Sequence, residues 1–310
     1  MLAWGLRFLI AIELCLYTVL ARRLLGVDYA AAISLAGLGV LLVRTLPCAL
    51  TFILSAGGQP SLSWGRRLSL WLGEYAAFVA NFVFLSPAEC LWMQPDRLAP
   101  MRSGTPLVLV HGYSCSRAAW WWQRRRLEAA GFTVATLSLE PIYADIETYL
   151  PALSQRIDAV LTKTGARQVA LVGHSMGGLV IRAWLARHGG ERVSRVVTLG
   201  TPHGGTRLAR LGLGRNARQM ELGSAWLQSL GETAVDRVAI FSAHDNYVAP
   251  RSQLEWPGAR RVELVGLGHL AMLFSARVAA EMTEALGDLR SLEAMAQLSS
   301  VRELGALTRD

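Results

Sequence analysis

The chain has 310 residues, enough for two domains, and its hydrophobic fraction of 52% and mean hydropathy of +0.32 exceed those of an ordinary soluble domain. The net charge of +8 is shared by both halves and comes with no aromatic-plus-basic or zinc-finger motif, so we predict no nucleic-acid partner. The four cysteines form no Cys-x-x-Cys pair, which argues against a disulfide framework.

The excess of apolar residues lies before residue 100, in the stretches Leu2–Leu20, Tyr29–Leu54 and Leu68–Trp92. Crossing a bilayer takes about 20 helical residues, and no small-x-small cleavage site follows the first stretch. We therefore predict that residues 1–95 anchor the chain in a lipid bilayer through two or three transmembrane helices. The expected location is a membrane, with the bacterial inner membrane as the working assignment.

Two charged residues, Arg44 and Glu74, interrupt the second and third stretches. A charge at mid-membrane costs about 2.5 to 3.5 kcal/mol, so these groups should face one another, water or the headgroups. We favour structural pairing within a helix bundle over a role in ion transport.

Composition changes after Pro95, and residues 96–106 are predicted to be a linker to a catalytic domain at 107–290. A C-terminal helix is predicted at 291–310. Strands are expected at 107–110, from 169 to the Gly-x-Ser-x-Gly motif, and at 133–139, 193–199, 238–242 and 261–265. Because these strands alternate with helices, we predict the α/β class with a mostly parallel sheet flanked by helices.

The strand that starts at Val169 ends in Gly173-His174-Ser175-Met176-Gly177, and helical spacing follows at once. Gly-x-Ser-x-Gly between a strand and a helix is typical of a nucleophile elbow. Gly173 and Gly177 would remove side chains that clash with a strained serine backbone, and His174 is expected to point elsewhere. Ser175 is therefore the predicted nucleophile. The alternative is a glycine-rich turn with an incidental serine.

A serine nucleophile needs a histidine base that is oriented by a carboxylate, in the chain order Ser, Asp/Glu, His. Asp245 comes just after one predicted strand and His269 just after the next, whereas Asp236 precedes its strand and lies at the wrong end. We predict that Asp245 and His269 complete the triad with Ser175.

Other histidines compete for the role of base. His203, in the segment Thr201–Thr206 after a strand, is the second candidate, and His244 is a weaker one. His188 is at a helix end and is read as a solvated or capping residue. His269 itself has a simpler interpretation, as a loop histidine satisfied by hydrogen bonds.

Negative charge that develops on a substrate carbonyl oxygen needs preset hydrogen-bond donors. One candidate is the backbone N–H of Met176, directly after the nucleophile. The other is the backbone N–H of Tyr113, which follows His111-Gly112 at the end of the first predicted strand. These two groups form the predicted oxyanion hole.

Several motifs together resemble those of the α/β-hydrolase superfamily, in particular its bacterial triacylglycerol lipase and esterase branch. They are His111-Gly112, Gly173–Gly178, Leu199–Thr206, Asp245–Pro250 and Gly268-His269-Leu270. The resemblance covers about residues 104–290 and implies a Ser-Asp-His triad and a carboxylic-ester substrate. It does not cover residues 1–100, which depart from the pattern of mostly secreted lipases. No calcium-loop signature is present, so we predict no metal and no cofactor.

The segment 207–236 contains a predicted amphipathic helix at Asn216–Leu230. In the resembling family an insertion at this place forms a cap or lid. Its apolar residues are then candidates to line an acyl pocket, namely Met220, Leu222, Trp226 and Leu227. An ordinary crossover helix is an equally good interpretation.

The sequence thus predicts a membrane-anchored serine hydrolase that acts on esters of lipids or other apolar acyl groups. An acyltransferase or thioesterase with the same triad is the main alternative. An inactive membrane scaffold is disfavoured by the intact triad, and a small transporter with a soluble tail leaves the triad unexplained.

Overall fold

The computed structural model describes residues 1–290, so the helix predicted at 291–310 lies outside the described part of the chain. Its N-terminal part is helical, with the elements α1 (Leu2–Leu25), α2 (Tyr29–Val43), α3 (Thr45–Ser55), α4 (Trp64–Val79), a π-helical continuation of α4 (Ala80–Leu85) and α5 (Glu89–Trp92). Gly26 ends α1 in the left-handed conformation (φ 66°), and Asp28 then caps α2 by accepting from the Ala31 N–H at 2.8 Å. These two signals fold α1 and α2 into a hairpin.

A six-stranded sheet follows, with the strands β1 (Leu107–Val110), β2 (Val134–Leu137), β3 (Val169–His174), β4 (Val193–Leu199), β5 (Asp236–Ser242) and β6 (Arg260–Leu264). The strands are all parallel and lie in the order β2-β1-β3-β4-β5-β6. The central strands β1 and β3 are buried on both faces, which is why they appear in the sequence as short apolar runs, whereas the edge strand β6 is largely exposed.

Helices cover both faces of the sheet: α6 (Trp121–Ala129), α7 (Leu150–Thr164), α8 (Met176–His188), α9 (Gly214–Gln219), α10 (Ala225–Ser229) and α11 (Ala276–Ala285). Side chains alternate along β1, so Val108 and Val110 belong to one core and Leu107 and Leu109 to the other. The layered α/β architecture predicted from the sequence is confirmed.

The strand boundaries differ in detail from the sequence prediction. β1 and β4 have the predicted bounds, β2 is shorter, and β5 begins earlier, at Asp236. Asp236 extends β5 at its amino end, where it is in register with Arg195 of β4 and its carboxylate pairs with that arginine at 2.5 Å. It is therefore at the edge of the sheet opposite the carboxyl ends of the strands.

The segment 96–106, expected to be a linker, is docked on the catalytic domain. The side chain of Asp96 is almost fully buried, pairs with Arg124 at 2.9 Å and accepts from the Thr136 N–H at 2.8 Å. Further along, the backbone N–H of Thr105 donates to Leu289 at 2.8 Å. Because a buried carboxylate needs several partners, this segment is held in place and does not act as a flexible spacer.

The N-terminal helices also pack on the catalytic domain and do not form a separate unit. One face of α4 and its π-helical continuation is buried at helical spacing, through Leu70, Glu74, Ala77, Asn81 and Leu85. The two segments Tyr29–Ser55 and Trp64–Leu85 are long and apolar enough to cross a membrane. Arg44 pairs with Glu13 of α1 at 2.6 Å, as expected for pairing within the helices, whereas Glu74 departs from that expectation and faces the catalytic domain.

Candidate active site

Ser175 lies between β3 and α8 in a conformation that non-glycine residues rarely adopt, with φ 54° and ψ −125°. Backbone atoms of neighbouring segments lie close to the glycines of this turn. A Cβ on Gly173 would come within 2.5 Å of the Gly178 nitrogen, and one on Gly177 within 2.1 Å of the Val110 carbonyl oxygen. Only glycine fits at these two positions, so the chain can make the sharp turn that presents Ser175.

Asp245 and His269 follow β5 and β6 and are paired at the same edge of the sheet. His269 Nδ1 is 2.7 Å from Asp245 Oδ2, and both side chains are buried. A carboxylate can only accept, so Nδ1 carries the hydrogen and Nε2 is left to act as a base. The second oxygen of Asp245 accepts from the N–H groups of Tyr247 and Val248 at 2.8 and 2.9 Å, which fixes the carboxylate.

The pKa of His269 is raised above its usual value. Burial alone would lower it, but the charge of Asp245, the hydrogen bond with Asp245 and the charge of Glu74 outweigh burial. His269 therefore takes up a proton at higher pH than an ordinary histidine does. A reaction that needs it neutral will lose rate as the pH falls through that raised pKa.

Ser175 and His269 both open into a cavity of about 520 Å³. The walls include Gly112 and Tyr113 from the loop after β1, together with the N-terminal residues Leu2, Leu6, Leu9, Glu13, Val43, Arg44, Pro47, Phe78 and Phe82. A second cavity of about 270 Å³ also reaches Ser175. Apart from Thr51, Tyr113, Ser175, Thr206 and Tyr247, its walls are apolar or glycine: Pro47, Leu50, Leu54, Pro202, Leu208, Ala209, Leu211, Gly212, Ala217, Met220 and Val248.

The loop after β1 approaches the nucleophile closely. A Cβ on Gly112 would lie 2.9 Å from the Cβ of Ser175, so this backbone can come near only as glycine. His111 anchors the loop, since its Nδ1–H donates to the Gly112 carbonyl at 2.8 Å and its Nε2 accepts from the Leu139 N–H at 2.9 Å. Burial lowers the pKa of His111 to about 4, which keeps this neutral tautomer at ordinary pH.

The two candidate oxyanion donors belong to residues near Ser175, since Met176 follows it in the chain and Tyr113 lines the same cavities. Met176 is the first residue of α8, where a backbone N–H has no partner within its own helix. Tyr113 lines both cavities, and its phenol is tied to Leu213 by a donated and an accepted bond of 2.8 and 2.7 Å. Within residues 1–290, neither backbone N–H of this pair has a hydrogen-bond partner.

His174 does not point away from the site as expected. Its ring lies 4.7 Å from that of His269, and its Nε2–H donates to the His269 carbonyl at 3.2 Å. It also lines the larger cavity. Burial, and next the neighbouring His269, lower its pKa well below the usual value, so it stays neutral. The residue before the nucleophile thus supports the loop that carries the candidate base.

The remaining histidines lie elsewhere. His203 is buried with its Nε2 3.2 Å from Thr198 Oγ1, its ring stacks on Trp256, and it lines neither of the two cavities. His188 contacts the Trp184 carbonyl at the end of α8, which suits the expected capping role. His244 donates to the Pro60 carbonyl at 3.0 Å and so joins the loop after β5 to the N-terminal part.

The segment 207–236 contains two short helices, α9 and α10, in place of one helix at 216–230. Gly223, with φ 67°, breaks the helical path between them. Of the four candidate acyl-pocket residues, Met220 lines the smaller of the two cavities that reach Ser175. Leu227 packs in the core, and the Trp226 indole donates to Glu147 at 3.0 Å. Leu222 lines neither cavity.

Two residues at the site were not singled out for it from the sequence. Glu74 was assigned to pairing among helices, yet it accepts from the N–H groups of Leu270 and Ala271. Asn246 accepts from the His269 N–H at 2.9 Å. The available signals were a carboxylate in an apolar stretch and an amide directly after Asp245.

Comparison with known proteins supports the fold that carries these residues. A family model described as the alpha/beta hydrolase fold matches residues 105–222. Triacylglycerol lipases of Pseudarthrobacter phenanthrenivorans and Burkholderia plantarii are each 33% identical over 116 residues, which is 34% of this chain and 35% and 31% of theirs. The bifunctional epoxide hydrolase 2 of Sus scrofa is 33% identical over 134 residues, 41% of this chain and 23% of its own.

Solved structures show the same fold. A Bacillus licheniformis lipase in its mature form has a TM-score of 0.53 at 19% identity, covering 63% of this chain and 96% of that one. Aspergillus fumigatus lipase B has a TM-score of 0.55 at 16% identity, covering 63% of this chain and 55% of that one. At such identities the likeness concerns the fold alone.

The parallel sheet, the elbow and the matching model together define the class of fold: the chain has the α/β-hydrolase fold, and residues 105–222 carry the match to the family model. In sequence the chain is lipase- and esterase-like, since its aligned segment is similar to two triacylglycerol lipases. The aligned segment spans about a third of the two lipases, and the family match ends before Asp245 and His269.

Proposed function

We propose that the chain is a membrane-associated serine hydrolase that cleaves carboxylic esters of lipids or other apolar acyl groups. The observation that carries the proposal is that a strained elbow serine, Ser175, and a paired His269–Asp245 share one cavity at the carboxyl edge of the sheet. No metal or cofactor is part of the proposal.

In the proposed reaction, Ser175 Oγ attacks the ester carbonyl and His269 Nε2 takes its proton. The N–H groups of Tyr113 and Met176 stabilise the negative charge on the carbonyl oxygen, and the His269 proton then passes to the leaving alcohol. Water deprotonated by His269 attacks the acyl-enzyme and releases the acid. Asp245 holds the imidazole in the tautomer that each step needs.

The two cavities support an apolar acyl group. The smaller one has mostly apolar walls, which include Leu208 and Met220, so we assign the acyl chain there. The larger cavity carries the Glu13–Arg44 ion pair as well as apolar residues. Its mixed walls suit the leaving alcohol and whatever polar group that alcohol bears.

Labelling with a fluorophosphonate probe tests this function, because the probe reacts with an activated serine. We expect wild-type chain to be labelled and Ser175→Ala to remain unlabelled. In a series of esters, kcat/KM should rise with acyl length, and Leu208→Trp should lose the long-chain substrates while it keeps the short ones. A wild-type chain that is not labelled would contradict the proposal. Faster transfer to an added alcohol than to water would identify an acyltransferase.

Membrane association is supported by exposed apolar surface. Among residues 1–290, 25 of the 29 exposed large apolar side chains lie in residues 1–92, including Trp4, Phe8, Ile33 and Leu38. A patch of this kind is unstable in water and marks contact with lipid or with another protein. We propose lipid as the contact, mainly along α1, α2 and α3, because α4 buries one face against the catalytic domain.

Carbonate extraction tests the membrane contact on the full chain. We expect the chain to stay in the membrane pellet, and the double variant Ile33→Glu with Leu38→Glu to move partly into the supernatant. Each charge placed in the hydrocarbon should cost about 2.5 to 3.5 kcal/mol. Val265→Glu, at an exposed apolar residue of the catalytic domain, is the matched control and should stay in the pellet. Complete release of the wild-type chain would contradict lipid insertion.

A further inference from the structure

Glu74 is the most deeply buried acidic side chain that the proposed reaction leaves unexplained. It lies on α4 with 1% of its surface exposed. Its carboxylate oxygens accept from the backbone N–H groups of Leu270 at 3.0 Å and Ala271 at 2.9 Å, the two residues after His269. No ion pair among residues 1–290 involves Glu74.

The backbone of the residue before His269 also packs closely against the Glu74 carboxylate. A Cβ on Gly268 would lie 2.3 Å from Glu74 Oε2 and 2.7 Å from its Cδ. The backbone on both sides of His269 therefore surrounds one carboxylate, and residue 268 can be only glycine while the contact persists. An acidic group buried in this way is unfavourable unless it makes strong hydrogen bonds, and bonds from N–H groups to an ionised oxygen are of that kind.

Other contacts tie the same loops to the N-terminal helices. The Asn246 amide accepts from the His269 N–H at 2.9 Å and donates to Thr51 Oγ1 on α3 at 2.7 Å. Gln59 donates to the carbonyl of Asp245 at 3.3 Å. The loops that carry Asp245 and His269 thus both contact residues that precede the hydrolase domain.

We propose that Glu74 is a positioning residue, which holds the backbone after His269 so that the imidazole stays aligned between Ser175 and Asp245. The proposal rests on the proposed function. It makes the N-terminal helices part of the catalytic apparatus in addition to their contact with lipid. Groups that face His269 are Asp245, Glu74, and the rings of His174 and Tyr247 at 4.7 and 4.9 Å.

Two substitutions of Glu74 separate the effect of its hydrogen-bond geometry from the effect of its charge. Glu74→Gln keeps the length of the side chain but loses the charge, whereas Glu74→Asp keeps the charge but is too short to reach both N–H groups. On a short-chain soluble ester we expect each to lower kcat by about 10- to 100-fold with little change in KM, since small misplacements of a catalytic group have effects of this size. Glu89→Gln, an acidic residue on α5, is the control and should behave as wild type.

The pH dependence of kcat/KM distinguishes positioning of His269 from a purely structural role of Glu74, which would leave that pH dependence unchanged. Because the charge of Glu74 raises the pKa of His269, the acidic limb of kcat/KM should move to lower pH in Glu74→Gln and stay near wild type in Glu74→Asp. Wild-type kcat and an unmoved limb in Glu74→Gln would overturn the proposal. If Glu74→Gln does not fold, the kcat and KM of Glu74→Asp test the proposal instead. Wild-type values of both constants in Glu74→Asp would overturn it.

A measurement without substrate keeps this proposal separate from the proposed function. The His269 titration can be followed by NMR of imidazole-labelled full chain in detergent, with its signal assigned by its loss in His269→Ala. A lower pKa in Glu74→Gln than in wild type supports the contact even if no ester is cleaved, and an equal pKa overturns it.

Discussion

Alanine at Ser175 and alanine at His269 are each expected to lower ester turnover by roughly 10⁴- to 10⁶-fold, and the double variant should lose little more than either. The reason is that the two groups act as one unit, since a serine without its base is a poor nucleophile and a base without its serine has nothing to activate. Asp245→Asn should cost about 10⁴-fold, because an amide can hold the wrong histidine tautomer. The measurement is kcat on a chromogenic short-chain ester.

The competing assignment of His203 gives the opposite pattern. His203 is buried against Trp256 and bonded to Thr198, so His203→Ala should lower stability more than the turnover of folded chain. Thermal unfolding of each variant supplies the correction for the folded fraction. If His203→Ala abolished turnover while His269→Ala left it intact, the triad would have to be reassigned.

The pH dependence of the wild type follows from the same residues. In the proposed reaction His269 must be neutral to accept the Ser175 proton, and its pKa is raised by Asp245 and Glu74 against the effect of burial. Activity should therefore be lost toward acidic pH with a midpoint above that of an ordinary histidine.

Much of the fold was accessible from the sequence, because its main determinants are local. β1 and the carboxyl half of β4 are short runs of branched and apolar residues, as strands buried on two faces must be. The glycines around Ser175 are dictated by backbone contacts closer than 3 Å, which leave no other residue type possible. Asp245 and His269 could be proposed because parallel strands end at one edge, and the structure pairs them there at 2.7 Å.

The docking of the N-terminal helices could not be predicted from hydropathy. An apolar stretch of span length has the same composition whether its face meets lipid or protein, and α4 meets protein on the face of Leu70 and Glu74. The partners of Glu74 are backbone N–H groups, which carry no sequence signature. The segment 207–236 forms two helices because Gly223 has a left-handed backbone conformation between them. The amphipathic pattern continues across Gly223, so it predicted a single helix.

The second substitution for which we expect a large loss of activity removes a backbone N–H group from the loop after β1. Replacing Tyr113 by proline deletes its N–H, and we expect kcat to fall by about 10²- to 10³-fold with KM little changed, as for the loss of one oxyanion donor. KM should change little because the donor acts mainly on the charge that develops in the transition state. Gly112, which precedes the substituted residue, is the residue type that best tolerates the restriction imposed by proline.

Tyr113→Phe is the matched control for that substitution. It keeps the backbone donor and the aromatic wall of both cavities but loses the two phenol bonds to Leu213, each worth about 1 kcal/mol. Those bonds connect the loop to the segment before α9, so their loss should appear in thermal stability and KM more than in kcat. Steady-state kinetics of the two variants, corrected for the folded fraction, distinguishes the roles. Equal losses of kcat would assign the function to the phenol, and the oxyanion hole would then need another donor.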